Sequence, residues 1–538
     1  MSDHKNLPVG VEQVREAAGR LSRYRAAKAG LEKRLEEDEL WWTLRHWETA
    51  EAGGDPLGRA AETGARPSSA WLFNVLTNKH ADAMDNYPEP LVLPREESDR
   101  ESAEILSRVL PVVLESSEFE QSYSDNWWEK LKHGTAAYGV FWNQSREHGL
   151  GDVDVRPLDL RKLFWEPGVQ DLQQSRDLFL VELAERELLE QRWPRLKGKA
   201  LPTAAGFPGG ETEGSEKVLL VDWYYKKPAP SGGTVLHYAK FVGEELLFAS
   251  ENEPEYAQSG YYDHGLYPVV LDVLFPEKGS PVGFGYVTVC KNPQLYVDRL
   301  SAAMLENALV SAKKRFFVAS STGVNEEEFL DWSRPLVHVE GGLDETRIRE
   351  IVTRPLDGVC LSLVQMKIEE MKDTASNRDV NAGSTSHGVT AAAAIAALQE
   401  AGSKSSRDMI AASWRAHGRI CRLILELMRQ FYGEERSFRV AGKAGEQFGF
   451  ARVSRLVLAA RPVGTAADGS PLYRLPVFDL KVSAQKKNPF SRMEQNERAR
   501  QLFALGFFRP ERRREALLAL DMMDFEGIER VKGALAGE

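Results

Sequence analysis

The pattern of hydrophobic and polar positions is most pronounced over residues 389–432, where no proline interrupts a helical period. At about 1.5 Å of rise per residue, this stretch predicts a helix of roughly 65 Å. Ala391–Ala397 is nearly all alanine, the strongest helix former, and Gly402 with the serines after it predicts a kink. A helix longer than an ordinary core is wide indicates a bridge between separate parts of a molecule, or between neighbouring molecules.

The second half of this helix is predicted to be amphipathic. Its apolar face carries Ile420, Leu423, Ile424, Leu427, Met428 and Phe431. Another face carries Arg415, Arg419, Arg422, Glu426 and Arg429. Gly433 is well placed to end the helix. A long core helix with a solvated back face explains this pattern equally well.

The N-terminal half predicts helices first and strands afterwards. Apolar stripes predict helices over 11–37, 68–86, 95–114 and 123–132, and the prolines of 87–90 predict extended chain. From 135 to 280 the alternation predicts a mostly β domain with helical insertions. Its predicted strands cover 135–142, 153–155, 157–165, 179–183, 218–225 and 267–275, with a hairpin over 234–248. Residues 201–214, rich in glycine and proline, predict a surface loop.

Two predicted helices then flank a small insertion. They cover 292–314, with Pro293 in the first turn, and 356–372. The insertion predicts a strand over 315–318, an acidic helix over 326–332 and a second strand over 336–339. A polar loop, 373–388, leads into the long helix. After Gly433 the pattern predicts strands over 437–460 and 473–482, a turn over 464–470, and helices over 491–506, 510–520 and 524–535.

Composition narrows the class of protein. The chain has 538 residues and a net charge of -11, which predicts several domains and argues against gripping nucleic acid through a broad basic surface. It does not argue against surrounding DNA without holding it. Three distant cysteines predict neither disulfides nor a zinc site. With no signal peptide and no apolar run near the ~20 residues of a membrane span, we expect a soluble intracellular protein without a membrane partner.

No familiar catalytic motif occurs in the sequence. There is no GxxxxGK[ST], no HExxH and no GxSxG. His133, His387 and His417 have no obvious partner cluster along the chain, so structural or surface roles are expected for them. We therefore predict no catalytic residue, no cofactor, no metal site and no enzymatic activity.

Two charged segments leave alternatives open. Glu326, Glu327 and Glu328, with Trp332 nearby, form either a docking edge for a partner or a solvated first helical turn. The four arginines within 509–514 either attract nucleic acid or begin an exposed helix, and the mixed charge of the tail favours the second interpretation.

The order of these parts resembles the portal proteins of tailed bacteriophages. The segment GVTAAAAIAALQEAGSKSSRDMI is similar to the helix that follows the tunnel loop in podovirus- and siphovirus-type portals. KHGTAAYGVFWN and RPLDLRKLFWEPG resemble the β-rich wing. FDLKVSAQKKNPFSRMEQNERARQLFALGFF resembles the C-terminal wing and the start of the crown. The resemblance covers roughly residues 60–520, and the order of the motifs carries more weight than any single motif.

The resemblance implies an α+β fold, with a mixed wing domain, a helical stem, a small α/β clip, a long kinked helix and a helical crown. The N-terminal wing would be 1–288, helical at its start and β-rich over 135–280. The remaining parts would be stem helices 289–314 and 356–372, clip 315–355, tunnel loop 373–388, long kinked helix 389–433, C-terminal wing strands 434–488 and crown 489–538.

The resemblance also implies a function. Portals of this family form homo-oligomeric rings of twelve subunits at one capsid vertex, assembled in the host cytoplasm and retained in the virion. Double-stranded DNA passes through the ring, driven by the terminase large subunit, and later leaves by the same route. Head-completion or adaptor proteins, the major capsid protein and the scaffolding protein would be further partners.

Candidate site residues follow from this assignment. A DNA channel should hold few fixed cations, since each phosphate contact adds affinity that movement must break. The tunnel loop offers Asn377, Arg378, Asn381, Ser384, Thr385 and Ser386 to DNA. Glu326, Glu327, Glu328 and Trp332 would dock the terminase, and Arg415, Arg419 and Arg422 would contact other subunits. The alternatives are another ring-forming head–tail connector, although these are usually much shorter, and a nucleic-acid-processing enzyme with an unrecognised active site.

Overall fold

The computed structural model describes residues 8–48, 66–202, 211–212, 215–229, 232–312, 316–318, 325, 327–328, 338, 348–350, 358–376, 404–441, 448–465, 471–484, 500–506, 509, 511, 513–521 and 528–536. The helices are α1 (Val11–Trp42), α2 (Trp71–Met84), α3 (Arg100–Ser116), α4 (Phe119–His133), α5 (Arg186–Arg192), α6 (Tyr286–Ala312), α7 (Val359–Thr374), α8 (Lys404–Phe431), α9 (Arg455–Leu458), α10 (Arg513–Asp521) and α11 (Ile528–Ala536). Residues 500–504 are also helical.

The strands complete a mixed α+β protein with several small sheets. They are β1 (Pro88–Pro94), β2 (Thr135–Asn143), β3 (Asp152–Leu158), β4 (Leu163–Trp165), β5 (Asp177–Glu185), β6 (Glu211–Thr212), β7 (Ser215–Pro228), β8 (Thr234–Val242), β9 (Glu245–Ala249), β10 (Val269–Val273), β11 (Phe275–Pro276), β12 (Gly283–Phe284), β13 (Phe316–Val318), β14 (Ile348–Glu350), β15 (Arg436–Ala441), β16 (Phe448–Val453), β17 (Arg461–Thr465), β18 (Pro471–Arg474) and β19 (Phe478–Ala484).

The first of two compact units contains Met1–Lys79, Asp125–Gly139 and Arg156–Met409. Its largest sheet is antiparallel, in the order β4-β5-β7-β8-β9, with β6 paired to β7. α1 packs on this sheet because Val14, Ala17 and Tyr24 fall on one face at helical spacing and are buried against the strands. Each fully buried aliphatic or aromatic side chain stabilises the fold by roughly 1.5–3 kcal/mol.

The end of α4 and the start of α6 lie so close that two positions require glycine. At Gly134, with φ +83°, a Cβ atom would lie 2.0 Å from the carbonyl carbon of Phe284. At Gly285 it would lie 2.3 Å from the carbonyl oxygen of Lys132. The first turn of α6 is therefore held against the last turn of α4 by direct backbone contact.

The second unit contains His80–Ser124, Val140–Val155 and Ile410–Glu538. β1 pairs antiparallel with β19, with Pro90 opposite Val482 and Val92 opposite Leu480. α3 packs on β1 and on the antiparallel hairpin of β15 and β16. The predicted apolar face of α8 is confirmed, because Ile420, Leu423, Ile424, Leu427 and Met428 are buried.

Most predicted elements are confirmed within a few residues, but several local predictions are wrong. The strand predicted over 473–482 is interrupted, because β18 ends at Arg474 and β19 begins at Phe478. α6 begins at Tyr286, so Pro293 lies inside the helix rather than in its first turn; the close approach at Gly285 fixes the start of α6 instead. The predicted strand 157–165 is interrupted by a 3₁₀ turn at Leu160–Lys162, where the Asp159 side chain accepts a hydrogen bond from the Arg161 backbone N–H. The short helix α9, after Ser454, interrupts the predicted strand region 437–460.

The insertion and the long helix are described in part. β13 confirms the strand predicted over 315–318, but it pairs with β14; of the predicted strand 336–339 the structure describes only His338. α8 confirms the long helix over Lys404–Phe431. The alanine-rich part and the kink predicted at Gly402 lie outside the described residues. Among the helices that are described, none combines the length and the apolar character needed to cross a membrane.

Candidate functional site

The side chains of α6 and α7 are buried at one end of this helix pair and exposed at the other. The two helices pack against each other. Near the body of the first unit, α6 buries Tyr286, Val287, Cys290, Gln294, Val297 and Asp298, and α7 buries Met371. We call 286–298 with 371–376 the inner end, and 299–312 with 358–370 the outer end. In the outer end no side chain whose burial the structure describes is buried.

The outer end presents large apolar side chains to solvent. They are Leu305 (43% exposed), Leu309 (51%), Val359 (61%), Leu361 (52%), Leu363 (37%) and Met366 (54%). On α7, Val359, Leu363 and Met366 follow at intervals of four and three residues, so they form a stripe. Exposed apolar groups concentrated in this way mark an interaction surface.

The inner end instead contains buried polar groups that bond one another. The Asp298 carboxylate accepts hydrogen bonds from the Ser69 backbone N–H at 2.8 Å and from Gln294 Nε2 at 3.0 Å. His46 Nε2 lies 3.1 Å from the same carboxylate. These bonds tie α6 to the chain that precedes α2, so the inner end has a fixed place in the first unit.

The first unit also contains a buried ion pair. Lys130 Nζ is 2.8 Å from Asp272 Oδ1, and the two side chains are 0% and 2% exposed. The ammonium also stands over the Trp127 ring, 4.4 Å from its centroid. Removing one partner of such a pair leaves an uncompensated charge away from water. α4 and β10 are thus joined by a contact that tolerates little change.

Five charged residues form a cluster between α1 and α4. His133 Nδ1 lies 3.3 Å from Asp38 and Nε2 lies 3.0 Å from Glu39. Burial by itself lowers the pKa of His133, but the hydrogen bonds to Asp38 and Glu39 and the charge of Glu129 outweigh it, so this pKa stands above its ordinary value. Burial raises the pKa of Asp38, whereas the hydrogen bond from His133 lowers the pKa of Glu39 to about 2.

Among the described residues, this cluster is also the group that could hold a metal ion. One ligand atom each from Glu39, Glu129 and His133 lies within 4.8 Å of the others. Lys132 Nζ, however, is 2.5 Å from Glu39 Oε1 and 2.8 Å from Glu129 Oε1. The ammonium already occupies the position between the carboxylates, so the arrangement fits an ionic connection between two helices better than a metal centre.

One buried lysine connects the end of α7 to the start of α8. Lys79, on α2, is 1% exposed. Its Nζ donates to the hydroxyl of Ser406 at 3.0 Å and lies 3.4 Å from the carbonyl oxygen of Ser376. Ser376 follows α7, where the partial negative charge of a helix C-terminus favours a cation. The same side chain therefore holds both ends of residues 377–403, which include most of the predicted tunnel loop.

In the second unit, a groove of about 770 Å³ runs between α8 and β19. Its charged lining consists of Arg95, Arg415, Arg419, Arg422, Glu426, Arg429 and Asp479. Its apolar lining includes Leu425, Leu458, Leu475, Val477, Phe478, Leu480 and Val482. The lining carries more arginines than carboxylates, although the chain as a whole is acidic.

The structure places some of the predicted site residues. Arg415, Arg419 and Arg422 are exposed on α8 and line this groove together. Glu327 is exposed, and Glu328 accepts a hydrogen bond from His338 at 2.8 Å. The other predicted residues lie outside the described part of the chain: Glu326, Trp332, Asn377, Arg378, Asn381, Ser384, Thr385 and Ser386.

Sequence reasoning did not predict the role of Lys79 or the exposure of the outer leucines. A single lysine in an amphipathic helix carries no signal of its partners, because those partners are 297 and 327 positions away along the chain. The helical period did identify Leu305, Leu309 and Val359 as apolar positions. Periodicity cannot separate a face that the chain covers itself from a face left for another molecule.

The comparisons with known proteins concern the C-terminal half. No curated protein matches the chain. Residues 280–537 match the family described as phage P22-like portal protein, and the match begins just before α6. It contains the helix pair, its insertion, α8 and all of the groove lining except Arg95. Over these residues the match confirms the resemblance to the portal proteins of tailed bacteriophages.

Proposed function

We propose that copies of this chain close into a ring of twelve at one capsid vertex and that double-stranded DNA passes through it during packaging and ejection. The family implies a capsid-associated ring and a structural rather than an enzymatic role. The observation that carries the proposal is the outer end of α6 and α7, where both helices expose apolar side chains. Closed rings need two different contact patches on each copy, and one helix can supply each patch.

The path of DNA is assigned to the loop after α7. Asn377, Arg378, Asn381, Ser384, Thr385 and Ser386 would face the DNA. With one cation among polar neutral groups, such a loop can touch phosphates without binding them tightly, which suits a channel through which DNA must move. Lys79 supports this assignment because it fixes the two points from which the segment departs.

The insertion between α6 and α7 is assigned to docking of other virion proteins. Glu326, Glu327, Glu328 and Trp332 would bind the terminase large subunit during packaging. Glu327 is exposed, as docking requires, whereas Glu328 is engaged by His338. Head-completion or adaptor proteins, and the capsid and scaffolding proteins during assembly, would be further partners. Arg415, Arg419 and Arg422 would contact neighbouring copies.

Electron microscopy and native mass spectrometry of the purified chain test the ring directly. We expect closed rings with one predominant mass, corresponding to twelve copies. A monodisperse monomer, persisting as protein concentration is raised, would contradict the proposal. A ring with another subunit number would correct only the stoichiometry.

Deleting residues 377–388 tests the DNA path. Ser376 stays in place, so the contact with Lys79 is retained. We expect rings to assemble while virions carry shortened or poorly retained genomes. Deletion of 203–210, in the predicted surface loop of the first unit, serves as the control. Full genome length and normal infectivity in the 377–388 deletion would remove the loop from the DNA path.

Charge reversal tests the docking edge. E326K/E327K leaves Glu328, with its bond to His338, unchanged. We expect weaker terminase binding to rings of normal stability. The matched control is E253K/E255K, at exposed glutamates elsewhere in the first unit. Equal terminase binding by both variants would exclude the acidic edge as the docking site.

A further inference from the structure

The groove between α8 and β19 combines two kinds of surface. Arg415, Arg419 and Arg422 follow one another at intervals of four and three residues, so their side chains lie along one exposed side of α8. The other two arginines already have carboxylate partners within the second unit. Arg429 Nε is 2.8 Å from Glu426, and Arg95 is 2.8 Å from Asp479. Five arginines and two carboxylates line the groove, so its lining is positive overall, and Arg415, Arg419 and Arg422 form an arginine stripe along α8.

The opposite side of the groove is apolar and incompletely covered. Phe478, Leu480 and Val482 alternate along β19 on the face shared with the buried residues of β1, yet they are only half-buried. Leu475 and Val477 are 49% and 40% exposed. Covering this side would remove apolar area from water, which contributes about 25 cal/mol for each Å². An occupant that matches the whole groove must bring both carboxylates and apolar side chains.

We propose that this groove binds an acidic segment with apolar side chains from a second copy of the chain. The proposal rests on the ring proposed above and adds the contact made by the second unit. The chain carries a net charge of -11 although the groove is positive, so the remainder of each copy is more acidic than the whole. Electrostatic complementarity then favours a contact in which the groove of one copy receives an acidic surface of the next. DNA would satisfy the arginines but leave the apolar side uncovered.

Such a contact has a defined response to salt. The arginines are exposed before assembly, so their attraction to carboxylates is screened over about 8 Å at physiological ionic strength. Salt does not screen the favourable free energy of burying the leucine and valine side chains. We therefore expect salt to slow and weaken assembly through the arginine stripe, while the apolar contact persists.

A photo-crosslinking amino acid placed at Leu475 identifies the occupant. Purified rings would be irradiated, and the crosslinked peptides mapped by mass spectrometry. We expect products that join two copies and that contain Asp or Glu in the second peptide. The control places the same amino acid at Leu150, which is 58% exposed in the same unit and does not line the groove. Rings that give no product between copies from position 475 would overturn the proposal and leave the ring itself standing.

The variant R415E/R419E/R422E tests the charge requirement. We expect loss of the crosslink from position 475 and at least a tenfold rise in the concentration of half-assembly at low salt. R415K/R419K/R422K should keep both near the wild-type values, and R439E, on the exposed side of β15, should change neither. An unchanged crosslink in the glutamate variant would overturn the proposal.

Two further outcomes are decisive. If the unassembled chain binds a double-stranded oligonucleotide and the glutamate variant does not, while crosslinks between copies are unaffected, the occupant is DNA and the proposal is wrong. If the wild-type chain forms no ring under any condition, the groove contact and the proposed function fail together.

Discussion

The two ends of the helix pair α6 and α7 are built in opposite ways. At the inner end, Asp298 and Gln294 are buried and joined by a hydrogen bond. At the outer end, the same two helices expose leucine, valine and methionine. The inner end therefore buries polar as well as apolar side chains, whereas the described residues of the outer end leave large apolar side chains in water.

This difference shows which contacts one copy completes by itself. The inner end makes its polar contacts within the first unit, where Asp298 and Gln294 have hydrogen-bond partners. The outer end holds six large apolar side chains that are 37–61% exposed. At 1.5–3 kcal/mol for each fully buried side chain, covering them would contribute on the order of 5 kcal/mol per copy. None of the described residues covers these side chains, so an assembly can use that free energy.

The largest effect should come from breaking the buried ion pair between α4 and β10. D272A would leave the Lys130 ammonium buried without the Asp272 carboxylate, and we expect the free energy of unfolding to fall by about 3–5 kcal/mol. Chemical denaturation of the unassembled chain measures this. The control is E97Q, which removes an ion pair with Arg100 whose side chains are 86% and 75% exposed and should cost less than about 1 kcal/mol.

A double variant separates the lost pair from a general intolerance of the site. K130M/D272L replaces both charges by apolar groups and should recover part of the lost stability. If D272A unfolds no more easily than E97Q, the first unit does not depend on this buried pair, and the contrast between its buried charges and the exposed outer end is lost.

Introducing charges at the outer end should weaken assembly and leave the stability of the unassembled chain unchanged. L305E/L309E changes exposed residues, so the free energy of unfolding of the unassembled chain should stay within about 0.5 kcal/mol of wild type. Assembly should need roughly a hundredfold higher concentration, which corresponds to about 2.7 kcal/mol. L188E, at a leucine that is 58% exposed on α5, is the control. Chemical denaturation measures the free energy of unfolding, and sedimentation measures the assembly of both variants. If L305E/L309E forms rings with wild-type affinity, this face lies outside the subunit contact.

Sequence reasoning reached the outer end more easily than the inner one. Helical periodicity located α6 and α7 within a few residues, and the order of helix, insertion and helix carries a resemblance to portal proteins that the family match over residues 280–537 supports. The buried charges could not be predicted, because Lys130 meets Asp272 through a contact 142 residues away along the chain. Local pattern predicts elements and their apolar faces. It does not show which charged residues form ion pairs in the interior, or which apolar faces remain exposed and can bind a second copy.

Removing the hydrogen bonds of Lys79 should lower the free energy of unfolding by less, and the change should be local to the end of α7 and the start of α8. K79M keeps the apolar stem but removes the hydrogen bonds to Ser376 and Ser406, and we expect a loss of about 1.5 kcal/mol. Hydrogen exchange should rise in the last turn of α7 and the first turn of α8. K197M, at an exposed lysine, is the control. Exchange that rises evenly over the whole first unit would mean that Lys79 stabilises the fold without holding these two ends.

The smallest effect concerns the charged cluster between α1 and α4. The pKa of His133 is raised in the folded chain, so protonated His133 stabilises the folded state. This contribution to the free energy of unfolding is complete below about pH 6.5, the ordinary pKa of histidine, and is lost as pH rises through the folded pKa. Stability should therefore decline as pH rises through the neutral range, and H133Q should flatten that decline. H148Q, at an exposed turn, should keep the wild-type slope. Asp38 is unchanged in H133Q, so the change in slope reports the loss of the His133 imidazole alone. A slope that survives in H133Q would show that the cluster joins α1 to α4 without help from a protonated histidine, through Lys132 and its two glutamates.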